Sequence, residues 1–157
     1  MKILFVCLGN ICRSPMAEGI MKKLATQNHL DWYVDSAGTE YYHVGEQPDR
    51  RAIRTSDKFG VDIAQQRARR ISKRDFEKFD VIYSLADDVL EELLIMKPAE
   101  ANGAELKLLL DELYPHAHRS VPDPYYDDEA AFEPVFKLIE EACAAIVVKY
   151  APRPEPE

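Results

Sequence analysis

Residues 3–15 read Ile3-Leu4-Phe5-Val6-Cys7-Leu8-Gly9-Asn10-Ile11-Cys12-Arg13-Ser14-Pro15. The run Ile3 to Cys7 is short and continuously apolar, the pattern of a strand buried on both faces of a parallel sheet. Ser14-Pro15 then offers a helix start, with Pro15 in the first turn and Ser14 as a candidate cap. Met16, Ala17, Ile20, Met21 and Leu24 follow at helical spacing and make one apolar stripe. The chain therefore opens as strand, loop, helix.

The alternation continues outward. Trp32 to Ser36 reads as a second strand, ended by Ala37-Gly38, and residues 39–48 as a loop. Pro48-Asp49 opens a helix that runs through Phe59 and closes at Gly60. After a short basic segment, Arg67 to Arg74, come a strand at Val81–Leu85, a helix at Asp87–Met96 stopped by Pro98, and a fourth strand at Leu106–Leu110. A loop at Val121–Asp128 leads into a long helix, Phe132–Tyr150, with Phe132, Val135, Phe136, Ile139, Cys143 and Ile146 on one face. Strands alternating with helices imply right-handed βαβ units. The expected fold is α/β, a single-domain, doubly wound, four-stranded parallel sheet with helices on both faces. The domain is expected over residues 1–151, followed by a disordered Pro/Glu tail at 152–157.

Composition narrows the function classes. The chain has 157 residues, 46% hydrophobic and 31% charged, which suits one globular core. No run is long and apolar enough for a membrane span, and the first apolar stretch is too short for a secretory signal, so a cytoplasmic protein is expected. Three cysteines, Cys7, Cys12 and Cys143, do not make a disulfide framework. No Cys/His cluster has zinc spacing, and His116-x-His118 sits in a loop-like, Pro-containing stretch. The net charge of −8 argues against nucleic acid or an anionic membrane as partner. The charge is uneven: residues 1–75 carry +4 and residues 76–157 carry −12. An anionic substrate is expected at the first half.

Ligands of such sheets bind outside the carboxyl ends of the strands, which is where the loop after the first strand lies. A loop wrapped ahead of a helix N-terminus turns several backbone N–H groups into one concavity, and the helix dipole adds positive potential. That is an oxyanion site, and its field favours the thiolate of Cys7. Gly9 permits a positive φ and Asn10 tolerates one. Arg13 can grip two phosphate oxygens as a fork, which Lys could not copy. Ser14 can donate a hydrogen bond to the thiolate. A Cys and an Arg at this separation mean little alone; the strand before and the helix after them carry the reading. A thiolate attacking phosphorus needs an acid for the leaving oxygen. Val121-Pro122-Asp123-Pro124-Tyr125-Tyr126 supplies Asp123 on a stiff segment beside an aromatic wall.

At these residues the chain resembles a known family. Val6 to Glu18 looks like the signature loop of low-molecular-weight protein-tyrosine phosphatases, and Asp123 to Asp128 like their acid loop. Asp35 to Thr39, His43 to Asp49 and the Ala68–Ser72 segment resemble the blocks between, so the likeness covers residues 2–150. It implies a phosphotyrosine-phosphatase I-like fold and hydrolysis of phosphotyrosine and aryl phosphates through a cysteinyl-phosphate. In that scheme Cys7 is the nucleophile. Arg13 and the amides of Leu8, Gly9, Asn10, Ile11, Cys12 and Arg13 bind phosphate, and Asp123 is acid, then base. Asn10, Ser14 and Ser36 support the loop; Tyr42, Tyr125 and Tyr126 form the substrate wall with Leu8 and Ile11. Cys12 is implied as a redox partner that forms a reversible disulfide with Cys7. No metal or organic cofactor is implied. The implied partner is a phosphotyrosine-containing protein, with tyrosine kinases among the candidates, and the implied state is a monomer or weak dimer. Three positions depart from the family pattern: Gln66, Arg70 and Ala86.

Two rivals share parts of this reading. Arsenate reductases use the same fold and loop, but their relay needs a mid-chain Cys pair, and none lies between Cys12 and Cys143. An idle phosphate-binding module would lack one of Cys7, Arg13 or Asp123. A flavodoxin-like signalling domain leaves the Cys and Arg in the loop without a reason.

Overall fold

The computed structural model describes residues 1–153. Four strands, β1 (Lys2–Cys7), β2 (Tyr33–Gly38), β3 (Val81–Ser84) and β4 (Glu105–Leu108), form one parallel sheet in the order β2-β1-β3-β4. Five helices connect and cover them: α1 (Arg13–Gln27), α2 (Arg50–Lys58), α3 (Asp75–Lys78), α4 (Asp87–Met96) and α5 (Phe132–Tyr150). This is the doubly wound α/β architecture expected from the alternation.

β1 alternates between two cores, as strand geometry requires. Ile3, Phe5 and Cys7 face the layer built by α1 and α5, where Met16, Ile20, Phe132, Phe136 and Ile139 pack. Leu4 and Val6 face the smaller layer of α3 and α4, with Phe76, Phe79, Val89 and Leu93. The chain leaves β1 toward β2 on one side and returns to β3 on the other. The crevice at that switch point, at the strands' carboxyl ends, is where an open α/β sheet places its ligand.

The boundaries differ from expectation in places. β4 ends at Leu108, because Leu109–Glu112 winds into a single 3-10 turn that buries Leu109 and Leu110. α3 does not stand out in the sequence; its four residues follow the basic run and bury Asp75 and Phe76. Ser14 is not the cap of α1. The helix starts at Arg13 and has no side-chain cap, so the Ser14 hydroxyl is turned elsewhere. α2 begins as read, with Asp49 accepting the N–H of Arg51 at 2.8 Å. The expected tail falls mainly on residues 154–157, outside the described residues.

Candidate active site

The loop between β1 and α1 crosses the first turn of a helix that is buried along most of its length. Among the described residues, the N–H groups of Gly9, Asn10, Ile11 and Cys12 donate to no backbone acceptor. Unpaired amides ahead of a helix N-terminus make a concavity suited to an anion. Of the two residues read as able to take a positive φ, Asn10 takes it, at 58°, and Gly9 does not. Gly9 has another reason to lack a side chain: a Cβ there would lie 3.1 Å from Cδ2 of His43.

Behind the loop runs a buried chain of hydrogen bonds. Asn10 donates one amide proton to Ser14 Oγ at 2.8 Å and the other to Ser36 Oγ at 3.0 Å. The Arg69 N–H on Asn10 Oδ1, at 3.0 Å, fixes which end of the amide is which. Both serine oxygens therefore accept from Asn10, and both hydroxyl protons remain to be given. Ser36 gives its own to Glu18 Oε1 at 2.7 Å. Ser14 is left to donate to Cys7 Sγ, 2.9 Å away.

Arg13 is buried, with Nη1 donating to Val121 O at 3.0 Å and Nη2 lying 3.6 Å from Asp123 Oδ2. Asp123 Oδ1 accepts the N–H of Tyr125 at 3.1 Å. One cleft of ≈ 270 Å³ is lined by Cys7, Leu8, Gly9, Ile11, Cys12, Arg13, Tyr42, His43, Asp123, Tyr125 and Tyr126. The structure thus gathers the expected reacting, phosphate-side and wall residues in one place, with Asn10, Ser14 and Ser36 directly behind. Tyr125 and Tyr126 meet edge to face at 4.9 Å, and Tyr126 is 90% exposed at the rim. Burial, with Asp49 and Cys7 nearby, pushes the Cys12 thiol well up.

Several residues here escaped the sequence. Glu18 lies under the loop, and its carboxyl titrates above the ordinary range. Burial is the main cause, partly offset by hydrogen bonds from Lys22 and Ser36. Arg69 ties β2 to α3 through Asp35 and Asp75. His43 joins the cleft wall with Nδ1 2.6 Å from Glu46. Asp49 and Arg51 pair as a fork at the start of α2, and Arg51 reaches on to the acid loop. Burial raises Asp49, but the hydrogen bonds from Arg51 more than reverse this and hold it below the usual carboxylate range. The only signal for Glu18 was a carboxylate set against an apolar helix stripe.

Residues 2–151 match the family model described as low molecular weight phosphotyrosine protein phosphatase. The chain belongs to the low-molecular-weight phosphotyrosine protein phosphatases. The human phosphatase of that name is 37% identical over 150 residues, covering 94% of each chain. A Drosophila arginine phosphatase structure superposes with a TM-score of 0.91 at 34% identity, covering 97% of this chain and 99% of that one. The Entamoeba histolytica protein tyrosine phosphatase with Hepes in its active site gives 0.86 at 38%, covering 95% and 96%. The chain is a hydrolase, a protein-tyrosine phosphatase acting on phosphoproteins.

The three departures from the phosphatase pattern leave the cleft intact. Gln66 Nε2 donates to Pro15 O at 3.0 Å and so supports the first turn of α1, while its Oε1 has no partner among the described residues. Arg70 Nε donates to Thr39 O at 3.0 Å beside the end of β2. Ala86 is buried against the smaller core and precedes α4. Among the described residues, no group of three or more His, Cys, Asp or Glu side chains is arranged to hold a metal ion. No described helix is long and apolar enough to cross a membrane.

Proposed function

We propose that this phosphatase works by two in-line displacements on phosphorus. The Cys7 thiolate attacks the phosphorus, and protonated Asp123 gives its proton to the departing phenolate oxygen. The Asp123 carboxylate then takes a proton from water, which attacks the cysteinyl-phosphate and releases Cys7 as thiolate. The loop amides and Arg13 hold the three equatorial oxygens through both steps. The observation that carries this reading is the Ser14 Oγ–Cys7 Sγ contact of 2.9 Å in a cleft that also holds Arg13 and Asp123.

The leaving group in this reading is aromatic. Support comes from the wall of Leu8, Ile11, Tyr42, Tyr125 and Tyr126, against which a phenol ring packs. A phosphorylated guanidinium, suggested by the Drosophila relative, would find one carboxylate there, Asp123, already facing Arg13. The working unit is the domain of residues 1–151. The partner is a phosphotyrosine-bearing protein, tyrosine kinases included, and the setting is the cytoplasm, in keeping with three free cysteines. Cys7 and Cys12 both line the cleft, which supports a protective disulfide. The raised Cys12 thiol makes Cys7 the first to meet peroxide.

Hydrolysis of p-nitrophenyl phosphate without added metal, by the wild type, Cys7→Ser and Asp123→Ala, tests the assignment. The wild type turns over, Cys7→Ser is inactive, and Asp123→Ala loses on the order of a hundredfold. Retained activity in Cys7→Ser would remove the cysteine from the reaction.

A further inference from the structure

Asp123 sits on an exposed segment without regular secondary structure, yet an acid must stay within hydrogen-bond reach of the leaving oxygen. What holds that segment is therefore a question about the reaction. Its start is pinned: Val121 N–H donates to Leu85 O at 2.8 Å, and Val121 O accepts from Arg13. Past Asp123 the chain turns, with Asp127 N–H on Pro124 O at 3.0 Å. Two carbonyls of this turn are gripped from outside, and both by Arg51: Nη2 reaches Tyr125 O at 2.9 Å and Nη1 reaches Asp127 O at 2.8 Å.

Arg51 is itself held. Its Nε and Nη2 fork onto the Asp49 carboxylate at 3.0 and 2.9 Å. Its guanidinium lies 4.7 Å from the ring centre of buried Phe132 and 5.7 Å from that of Tyr125. Asp49 caps α2, and its own N–H donates to Ile11 O, in the phosphate loop, at 2.8 Å. A continuous path thus runs from Ile11 O through Asp49 and Arg51 to Tyr125, whose N–H holds Asp123 Oδ1. The other links from α2 to this region, Arg54–Glu129 and Lys58–Glu133, are solvent-exposed ion pairs of the kind that fix little. Only a planar guanidinium can serve the carboxylate, both carbonyls and the aromatic faces together.

We propose that Arg51 is the positioning residue of the general acid, setting the distance from Asp123 to the leaving oxygen by clamping the turn after it onto the phosphate loop. This rests on the reading of Asp123 as the acid. Arg51 touches no substrate; it acts through Tyr125 and Asp127.

The test uses aryl phosphates with leaving groups of graded basicity, from 2,4-dinitrophenyl to phenyl phosphate. kcat/KM is read for the wild type, Arg51→Ala, Arg51→Lys, Asp123→Ala and the double variant Arg51→Ala/Asp123→Ala. A good leaving group needs no proton and a poor one does, so loss of acid catalysis grows with basicity. Arg51→Ala is expected to lose on the order of tenfold to a hundredfold with phenyl phosphate, and under about threefold with the dinitro compound. In the Asp123→Ala background the same substitution should cost less than about twofold, because the acid it positions is gone. Arg51→Lys keeps the charge and the stem and should show the same slope, which keeps the test open if Arg51→Ala fails to fold. Inhibition by inorganic phosphate should stay within about twofold in both, since the loop amides and Arg13 are untouched.

A loss equal across all leaving groups, full cost in the Asp123→Ala background, or phosphate affinity falling in parallel would each reduce Arg51 to a structural residue. The two levels separate cleanly. If Asp123→Ala itself shows no slope, the acid reading is wrong and the clamp with it. If Asp123→Ala is steep and the Arg51 variants are flat, only the clamp is wrong.

Discussion

Asn10 decides what the serine at the start of α1 can do. Because it gives both amide protons away, the proton of Ser14 has one place to go, the sulfur of Cys7. That bond matters most when sulfur carries full negative charge, as it does when water displaces it from phosphorus. A hydrogen bond to a charged group is worth about 1.5–3 kcal/mol, which is about tenfold to a hundredfold in rate. Ser14→Ala should therefore slow breakdown of the cysteinyl-phosphate by that factor. Rapid mixing with p-nitrophenyl phosphate should give a burst of p-nitrophenol approaching one per enzyme, followed by a depressed steady rate. An unchanged steady rate with no burst would take Ser14 out of the leaving-group step. The disulfide partner read for Cys7 stands at the same scale. Two free thiols on one cleft are a condition for the bond, and oxidation is the measurement that tests it.

The carboxyl end of β2 meets the phosphate loop with no room between. A Cβ on Gly38 would lie 2.7 Å from Leu8 O, 3.1 Å from the Gly9 carbonyl carbon and 3.2 Å from Asn10 Cβ. Two of these are backbone atoms of the loop, which cannot move aside as a side-chain tip can. Gly38→Ala should push the loop off its geometry, and with it the last β1–β2 pair, Cys7–Gly38, while the pairs from Lys2–Tyr33 to Val6–Ala37 and the β1–β3 ladder stay in register. The expected result is a kcat/KM lower by on the order of a hundredfold, with phosphate inhibition weakened in step. Wild-type kinetics in this variant would mean that β2 retreats instead. At this scale the sequence was readable where one segment carried its own signal. The apolar run of β1, the stripe of α1 and the Asp49 start of α2 all came out in place. β4 did not, because the leucines run on without a break from Leu108 to Leu110, and the last two are buried by a 3-10 turn rather than by pairing. α3 is one turn long and offers no period to detect. The supporting residues of the site were hidden for a different reason. Glu18 meets Ser36, and Arg51 meets carbonyls more than seventy residues away, and no local pattern announces such partners.

Across the whole molecule the sheet order brings three distant stretches to one crevice, the loop after β1, the loop after β2 and the acid loop, and the start of α2 braces the first and the last through Asp49 and Arg51. Holding that crevice leaves a carboxylate inside the protein, and stability should record it. Glu18 is 4% exposed, and burial raises its titration above the ordinary carboxylate value despite hydrogen bonds from Lys22 and Ser36. A carboxyl raised on folding binds its proton more tightly in the native chain than in the unfolded one. Its favourable contribution is therefore complete below the unfolded value, about 4.3 for Glu, and is lost as pH rises through the native value. At neutral pH the ionised Glu18 weighs against the folded state. Glu18→Gln keeps an oxygen to accept from Ser36 and removes the buried charge, and Lys22, whose side chain is 54% exposed, can return to water. Urea unfolding of both proteins between pH 4 and pH 8 should find the variant more stable at pH 7. The gap should close as pH falls toward 4, because the wild type then carries the neutral acid. A wild type that gains on the variant as pH rises would mean that the Lys22–Glu18 pair outweighs the burial of its charge.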